Sequence, residues 1–218
     1  MMVNVNSITL FYKKSGAGHP LLLLHGNGED HSIFDALAAK LAAHYTVYAI
    51  DSRNHGQSEA NEDFSYEAMA ADMAGFIEAL TLGAVDIIGF SDGAIIALLL
   101  AMGTPASVRK MALLGVNLSP ADFTAGSLQF IKDTYTETGD PLFKLMLHEP
   151  NIPIAAVRDV QTPALVVAAA DDIFTQESFA RLAETMPNAA LLIKHGHDHG
   201  SYIIGNDCLY PDLMRFLG

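Results

Sequence analysis

The sequence has no tryptophan and a single cysteine, Cys208. One cysteine excludes a disulfide within the chain and is typical of a reducing compartment. The longest apolar runs, at 94–102 and 21–24, are far too short to span a bilayer. The first residues also lack a basic segment followed by an apolar one. We therefore expect a cytoplasmic protein that neither enters nor crosses a membrane.

Basic residues are scarce as well, with 12 Lys and Arg against 25 Asp and Glu and a formal net charge of −13. Binding to nucleic acid or to an anionic membrane requires clustered cations that neutralise phosphates. The charge balance therefore argues against both partners. Hydrophobic residues, by contrast, make up 50% of the 218 positions, which is enough for one well-filled core. We expect a single domain over residues 1–218.

Short β-like and helix-like segments alternate along the chain. Predicted strands occupy 3–12 (two strands with a turn at 6–7), 21–24, 45–50, 85–90, 110–115, 164–169 and 190–194. Predicted helices occupy 34–43, 66–80, 94–102, 176–186 and 208–217. This alternation predicts an α/β fold, with a mostly parallel sheet covered by helices on both faces. Ligands of such sheets bind at the carboxyl ends of the strands.

One segment, at about 118–161, breaks the alternation and is too long for a plain loop. Prolines mark its turns, and its apolar positions fit two or three short helices with one apolar face. We interpret it as a small helical cap inserted over the carboxyl edge of the sheet. The alternative is a set of helices that pack on the body of the protein far from any site. In the cap interpretation, Phe123, Phe130 and Phe143 are candidate substrate contacts.

The most informative motif is Gly89-Phe90-Ser91-Asp92-Gly93, between the predicted strand 85–90 and the predicted helix 94–102. A sharp strand-to-helix bend at this point would expose the Ser91 hydroxyl, and the two glycines would relieve crowding of the backbone. An ordinary glycine-rich turn is the alternative. A serine hydroxyl is a poor nucleophile alone, so the bend also predicts a base, an acid that orients it and donors for an oxyanion.

Candidates for the acid and the base follow later strands. Asp171 and Asp172 come after strand 164–169, and we favour Asp172 as the acid, with Asp171 a solvated turn residue. Three histidines, His195, His197 and His199, come after strand 190–194, and we favour His199 because it ends the loop before a flexible turn. An imidazole with a pKa near 6.5 can accept and return the seryl proton near neutral pH.

The oxyanion donors are expected from two turns. His25-Gly26-Asn27-Gly28 follows the buried run 21–24, and its flexible backbone can direct the N–H of Asn27 toward Ser91. The N–H of Asp92 begins the next helix, whose N-terminus carries partial positive charge. We expect these two amides to form the oxyanion hole, and we expect His25 to hold nearby loops rather than act as a base.

The oxyanion loop, the sharp bend (the nucleophile elbow) at Ser91, the late Asp172 and the later His199 follow one another in that order. With this ordered set, the chain resembles the α/β-hydrolase fold superfamily over nearly its whole length. The segment 51–58 also resembles the Asp-x-Arg-Gly-x-Gly-x-Ser loop of that family, with Asn54 in place of a glycine. The resemblance implies a serine hydrolase that cleaves small carboxylic esters or related acyl substrates through an acyl-enzyme. Its implied partner is a small acyl molecule, and it implies neither a cofactor nor a metal.

More narrowly, the elbow and the segment 110–117 resemble the biphenyl hydrolase-like group, which includes esterases of the valacyclovir hydrolase type. In that group the Asp after the nucleophile is associated with binding of a substrate amino group. The resemblance therefore makes Asp92 a candidate contact for an amine, and a helix cap formed by its side chain is the alternative.

Two further functions compete with the serine hydrolase. The cluster His195-Gly196-His197-Asp198-His199 contains residue types that bind zinc, which suggests a metal-dependent hydrolase. A slow or non-catalytic ligand sensor on the same fold is the other possibility, because a fold alone does not determine function.

Overall fold

An eight-stranded sheet forms the centre of the structure, a computed structural model that describes residues 1–218. The strands are β1 Met2–Val5, β2 Ile8–Ser15, β3 His19–Leu24, β4 Tyr45–Ile50, β5 Val85–Phe90, β6 Val108–Leu114, β7 Ala164–Asp171 and β8 Ala189–Asp198. Their spatial order is β1-β2-β4-β3-β5-β6-β7-β8, in which the pairs β1–β2 and β2–β4 are antiparallel and the other five pairs are parallel. The predicted mostly parallel sheet is confirmed.

Helices cover both faces of this sheet, as predicted. They are α1 Asp35–Leu41, α2 Tyr66–Ala79, α3 Asp92–Gly103, α4 Ala125–Thr138, α5 Pro141–His148, α6 Gln176–Thr185 and α7 Tyr210–Leu217. Helices α1 and α7 share one buried apolar cluster, and α2, α3 and α6 contribute to the other. None of the helices combines the length and the hydrophobicity needed to cross a membrane.

The run of four leucines in β3 shows how the sequence produces this layering. All four side chains are fully buried. Leu21 and Leu23 point into the core on the α1 side, whereas Leu22 and Leu24 point into the core on the opposite face. Successive side chains of a strand alternate between faces, so a strand covered on both sides is continuously apolar.

Helix α3 is buried nearly all around and lies directly behind the sheet. It begins at Asp92, two residues earlier than predicted, because the bend at Ser91 leads into the helix without an intervening loop. Its apolar residues therefore form no single stripe, which is typical of a helix enclosed by protein on every side.

The segment 118–161, which we call the cap segment, lies between β6 and β7. It contains α4 and α5, joined by Gly139 in a left-handed conformation (φ 65°) that ends α4. Helix α5 starts with Pro141 after Asp140, whose side chain accepts a hydrogen bond from the Leu142 N–H at 2.8 Å. Side chains of α5 line a cavity at the carboxyl ends of the central strands.

Strand β8 is longer than predicted. It continues to Asp198, which pairs with Asp171 of β7, and not only to Lys194. The prediction that His195 and His197 lie in a loop is therefore wrong. The two histidines extend an edge strand, because pairing with β7 resumes beyond an irregularity between Ala169 and Asp171.

Candidate active site

Ser91 occupies a strained turn between β5 and α3. Its backbone has φ 51° and ψ −114°, an unfavourable region for a residue with a side chain. A methyl group at Gly89 would collide with the carbonyl of Gly93, and one at Gly93 would collide with the carbonyl of Leu24. Both glycines are therefore required for the chain to turn this sharply and present the Ser91 hydroxyl at the edge of the sheet.

A chain of hydrogen bonds runs from Ser91 to a buried carboxylate. His199 Nε2 lies 3.1 Å from Ser91 Oγ, and His199 Nδ1 lies 2.7 Å from Asp172 Oδ1. Asp172 Oδ1 also accepts from the Phe174 N–H at 3.3 Å, and its Oδ2 accepts from the Ala169 N–H at 3.0 Å. These contacts fix a carboxylate that is fully enclosed, and it orients the imidazole toward the serine.

The structure separates the favoured candidates from their neighbours. Asp171 is exposed at the end of β7, whereas Asp172 contacts the imidazole. His195 is exposed, and His197 Nδ1 lies 3.2 Å from Ser201 Oγ, away from Ser91. Of these five candidates, the fold thus brings Asp172 and His199 to the serine.

The two expected oxyanion donors lie beside the serine. Asn27 is in the turn after β3 and lines the same cavity as Ser91, and its backbone N–H makes no hydrogen bond within the protein. Asp92 is the first residue of α3, so its N–H has no acceptor inside the helix. Neither amide is used inside the protein, and the N-terminus of α3 carries partial positive charge next to Ser91.

The side chain of Asp92 does not take either position expected for it. Its carboxylate is buried, accepts hydrogen bonds from Tyr66 Oη at 2.7 Å and Asn27 Nδ2 at 3.0 Å, and is not part of the cavity lining. Amine binding by Asp92 is therefore not supported, and no helix N–H is capped by it. Burial raises the pKa of Asp92 and the two hydrogen bonds oppose that rise. The carboxylate instead links the Asn27 side chain to the start of α3 and to Tyr66 of α2.

Two buried histidines, His25 and His55, form hydrogen bonds that hold the turn containing Asn27. His25 contacts the Gly26 carbonyl through Nδ1 at 2.8 Å and accepts from the Ser52 N–H through Nε2 at 3.0 Å. Burial lowers the pKa of His25 to about 4, so it is neutral at pH 7. His55 accepts from the Gly28 N–H at 3.1 Å through its Nε2. His25 therefore sits in a loop-holding position, and His55 is a second such residue that the sequence did not reveal.

The loop that carries His55, residues 51–58, is itself anchored. Asn54 adopts the left-handed conformation (φ 66°) that its place in the motif predicts. Arg53 forms a two-pronged, buried ion pair with Asp72 of α2, with N···O distances of 2.7 and 2.8 Å. The loop is thereby fixed to α2 while it supports the turn at Asn27.

A cavity of about 290 Å³ lies above Ser91. Its apolar wall includes Phe143 and Met146 of α5, together with Ile173. The expectation for Phe143 thus agrees with its position. Phe130 lies outside this cavity, in an adjoining groove of about 330 Å³ that shares those three apolar residues.

Phe123 lines neither the cavity above Ser91 nor the adjoining groove. It is buried against Phe174, with ring centroids 4.6 Å apart, and Phe174 in turn contacts the His199 ring at 5.4 Å. The expectation that Phe123 contacts substrate is therefore not supported. The ring packs behind the imidazole, because the segment before α4 pairs with the segment after β7.

Glu29 is a cavity residue that the sequence analysis missed. Its Oε2 accepts from the Gly26 N–H at 2.9 Å, and its side chain lines the cavity that contains Ser91. Burial raises the pKa of Glu29 to about 7. No local pattern marks this residue, since a polar turn after a buried strand commonly contains an acid.

The histidines at 195–199 do not form a metal site. Their potential ligand atoms do not converge, and the group that does converge is Asp30, His31 and Asp51. In that group the Asp51 carboxylate already accepts hydrogen bonds from the His31 and Gln57 backbones and from the His31 ring. The group therefore works as a hydrogen-bonded junction between two loops.

Fold and site together define a class: an α/β protein with a serine at a sharp elbow, followed in sequence by an acid and a histidine. Sequence comparison agrees with this class. The alpha/beta hydrolase fold family matches residues 19–142, and the family of TAP-like proteins matches residues 148–218. The chain belongs to the alpha/beta hydrolase fold family.

Characterised relatives share parts of the chain. A 2-(acetamidomethylene)succinate hydrolase of Mesorhizobium japonicum is 31% identical over 72% of this chain and 58% of its own length. The serine hydrolase BPHL of Homo sapiens is 33% identical over 60% of this chain and 47% of its own. An sn-1-specific diacylglycerol lipase of Mus musculus is 35% identical over 49% of this chain and 35% of its own. The alignments thus span about a third to three-fifths of these relatives.

Solved structures match over the full chain. A meta-cleavage product hydrolase of Pseudomonas fluorescens has a TM-score of 0.83 at 19% identity, with 100% of this chain and 97% of that chain covered. An enol-lactonase of Burkholderia xenovorans has a TM-score of 0.83 at 20% identity, with 100% and 99% covered. At these identities the comparison establishes the fold.

Proposed function

We propose that the protein is a serine hydrolase that cleaves small carboxylic esters or related acyl compounds through a covalent acyl-enzyme. The observation that carries this proposal is the hydrogen-bonded series Asp172–His199–Ser91, of which Ser91 and His199 line a cavity. The cytoplasm remains the proposed location, on the single cysteine, and a small acyl molecule the proposed partner.

In this mechanism Ser91 Oγ attacks the substrate carbonyl carbon while His199 Nε2 accepts the hydroxyl proton. The hydrogen bond from His199 Nδ1–H to Asp172 leaves Nε2 free as the acceptor and stabilises the imidazolium that forms. The N–H groups of Asn27 and Asp92 would hold the oxyanion of the tetrahedral intermediate.

Collapse of that intermediate transfers the proton from His199 Nε2 to the leaving group. Water then attacks the acyl-enzyme with the same histidine as its base, which releases the acid and restores Ser91. Side chains and backbone amides supply every step, so the proposal requires no cofactor.

The size of the cavity supports small substrates. The cap segment is proposed to close the site, because Phe143 and Met146 of α5 form one wall above Ser91. The succinate derivative named for one relative is a dianionic substrate, and no Lys or Arg lines this cavity to bind such a molecule. We therefore do not extend that substrate to this chain.

The proposal is tested with short-chain p-nitrophenyl esters. Ser91→Ala should lower kcat/KM by ~10³-fold or more, because it removes the nucleophile. Ser107→Ala is the matched control. Ser107 lies just before β6, at the amino-terminal ends of the parallel strands and away from Ser91, and its side chain makes no hydrogen bond. A chelator should leave the wild-type rate unchanged. Full activity in Ser91→Ala would refute the mechanism, and ligand binding without turnover would indicate a sensor.

A further inference from the structure

Glu29 is the only acidic residue in the lining of the cavity above Ser91. The cavity is lined by ten residues: Asn27, Glu29, Phe90, Ser91, Phe143, Met146, Ile173, His199, Gly200 and Ile204. Among them the only ionisable side chains are Glu29 and His199, and the histidine is already engaged with Asp172 and Ser91. The cavity thus contains a carboxylate without a cationic partner.

Only one of the two oxygens of the Glu29 carboxylate accepts a hydrogen bond from the protein. Oε2 accepts the Gly26 N–H, which closes the turn that carries Asn27. The second oxygen, Oε1, accepts no hydrogen bond from the protein. A glutamine would close the turn equally well, since its amide oxygen also accepts a hydrogen bond. The charge of Glu29 is therefore unnecessary for the turn itself.

The surroundings do not compensate this charge. The titratable groups that act on Glu29 are His199, which favours its ionisation, and Asp92 and Asp30, which oppose it. No Lys or Arg lines the cavity, and neither acts on Glu29 among these groups. An unpaired and partly buried carboxylate gains from a cation placed next to it and repels an anion.

We infer that Glu29 is a specificity-determining residue that selects substrates with a positive charge close to the scissile ester and disfavours substrates with a carboxylate there. The inference rests on the proposed function, because it names the class of ester that the Ser91 site accepts. The raised pKa of Glu29, about 7, is consistent with a site where a bound cation would restore the carboxylate to its charged form.

The test compares esters that differ only in charge. Acetylcholine and its neutral isostere, 3,3-dimethylbutyl acetate, place the charge on the alcohol side. The p-nitrophenyl esters of trimethylammonio-substituted and tert-butyl-substituted butanoic acid place it on the acyl side. At pH 8 the wild type should favour the cationic ester of at least one pair by about tenfold in kcat/KM. Because both esters of a pair depend on His199 equally, the ratio isolates Glu29.

Glu29→Gln should reduce that ratio to about one, because the loss in kcat/KM should be larger for the cationic ester than for its neutral partner. Glu78→Gln is the matched control: it makes the same substitution at an exposed position of α2, and Glu78 neither lines the cavity nor acts on Glu29. The control should keep the wild-type ratio. A ratio near one in wild type for both pairs, or a ratio unchanged in Glu29→Gln, would overturn the inference while the proposed hydrolase stands.

A binding measurement separates this inference from the hydrolase itself. Calorimetry of Ser91→Ala with the same ester pairs requires no turnover. Tighter binding of a cationic ester, lost in Ser91→Ala/Glu29→Gln, supports the role of Glu29 even if no ester is hydrolysed. Equal or weaker binding of both cationic esters contradicts it.

Discussion

At the scale of single residues, Gly115 is positioned to control the catalytic histidine. It follows β6 with φ +59°, and a Cβ added there would lie 2.6 Å from His199 Cε1. Gly115→Ala should therefore push the imidazole away from Ser91. We expect kcat/KM to fall by about tenfold or more, because nucleophile and base must remain within hydrogen-bond distance. Ester hydrolysis and thermal unfolding of the variant measure the two effects.

Gly139→Ala serves as the control for this substitution. Gly139 ends α4 with φ +65°, and nothing lies within 4 Å of an added Cβ. Both variants therefore bear the same left-handed backbone penalty, about 1–2 kcal/mol. Only Gly115→Ala should lose activity beyond what the loss of stability explains. Equal losses of activity in the two variants would contradict a specific contact with His199.

The three residues of the hydrogen-bonded series could be predicted from the sequence, because local patterns mark each of them. Ser91, Asp172 and His199 each follow a predicted strand, and the carboxyl ends of parallel strands meet at one edge. The roles of Tyr66 and Glu29 could not be predicted from the sequence. Their contacts with Asp92 and with the cavity depend on how distant segments pack, and neither residue belongs to a pattern that its neighbours reveal.

At the scale of elements, α4 and α5 form a groove that extends the cavity above Ser91. Phe130 of α4 is 64% exposed, although it is large and apolar, and it lines the groove. Such exposure of an aromatic ring at the mouth of a site favours contact with an apolar chain. The groove would then accept the acyl or alcohol chain of longer esters.

Phe130→Ser should lower kcat/KM for an octanoyl ester by about threefold to tenfold and leave an acetyl ester unchanged. The estimate corresponds to about 1 kcal/mol of lost apolar contact. The measurement is the ratio of kcat/KM across a p-nitrophenyl ester series from acetyl to octanoyl. Lys132→Ser, on the same helix but not part of the groove lining, is the control. An unchanged chain-length profile would rule out the groove as a chain subsite.

Most element boundaries follow from the apolar pattern, and the exceptions have local causes. The strand 45–50 and the strand 85–90 were predicted to the residue, because each is a buried run bounded by polar turns. Strand β8 was predicted four residues too short at its end. Its last residues, including His195 and His197, are polar, and their strand conformation comes from pairing with β7, which composition does not indicate.

At the scale of the whole molecule, Glu29 links stability to pH. Its pKa is about 7 in the folded protein, against an ordinary value of 4.5. Between these values the folded protein holds a proton that the unfolded chain releases, so stability falls as pH rises through this interval. Below pH 4.5 both states are protonated and the effect disappears.

Glu29→Gln should therefore stabilise the protein increasingly between about pH 4.5 and 7, by roughly 1–3 kcal/mol once the carboxyl would be ionised. Thermal or urea unfolding of wild type and variant at pH 4.5, 6 and 8 measures the difference. Asp30→Asn provides a control of opposite sign: hydrogen bonds from Ser32 lower the pKa of Asp30, so its loss should destabilise at neutral pH and matter less in acid. A Glu29→Gln stability difference that does not change with pH would mean that Glu29 ionises as freely in the folded protein as in the unfolded chain.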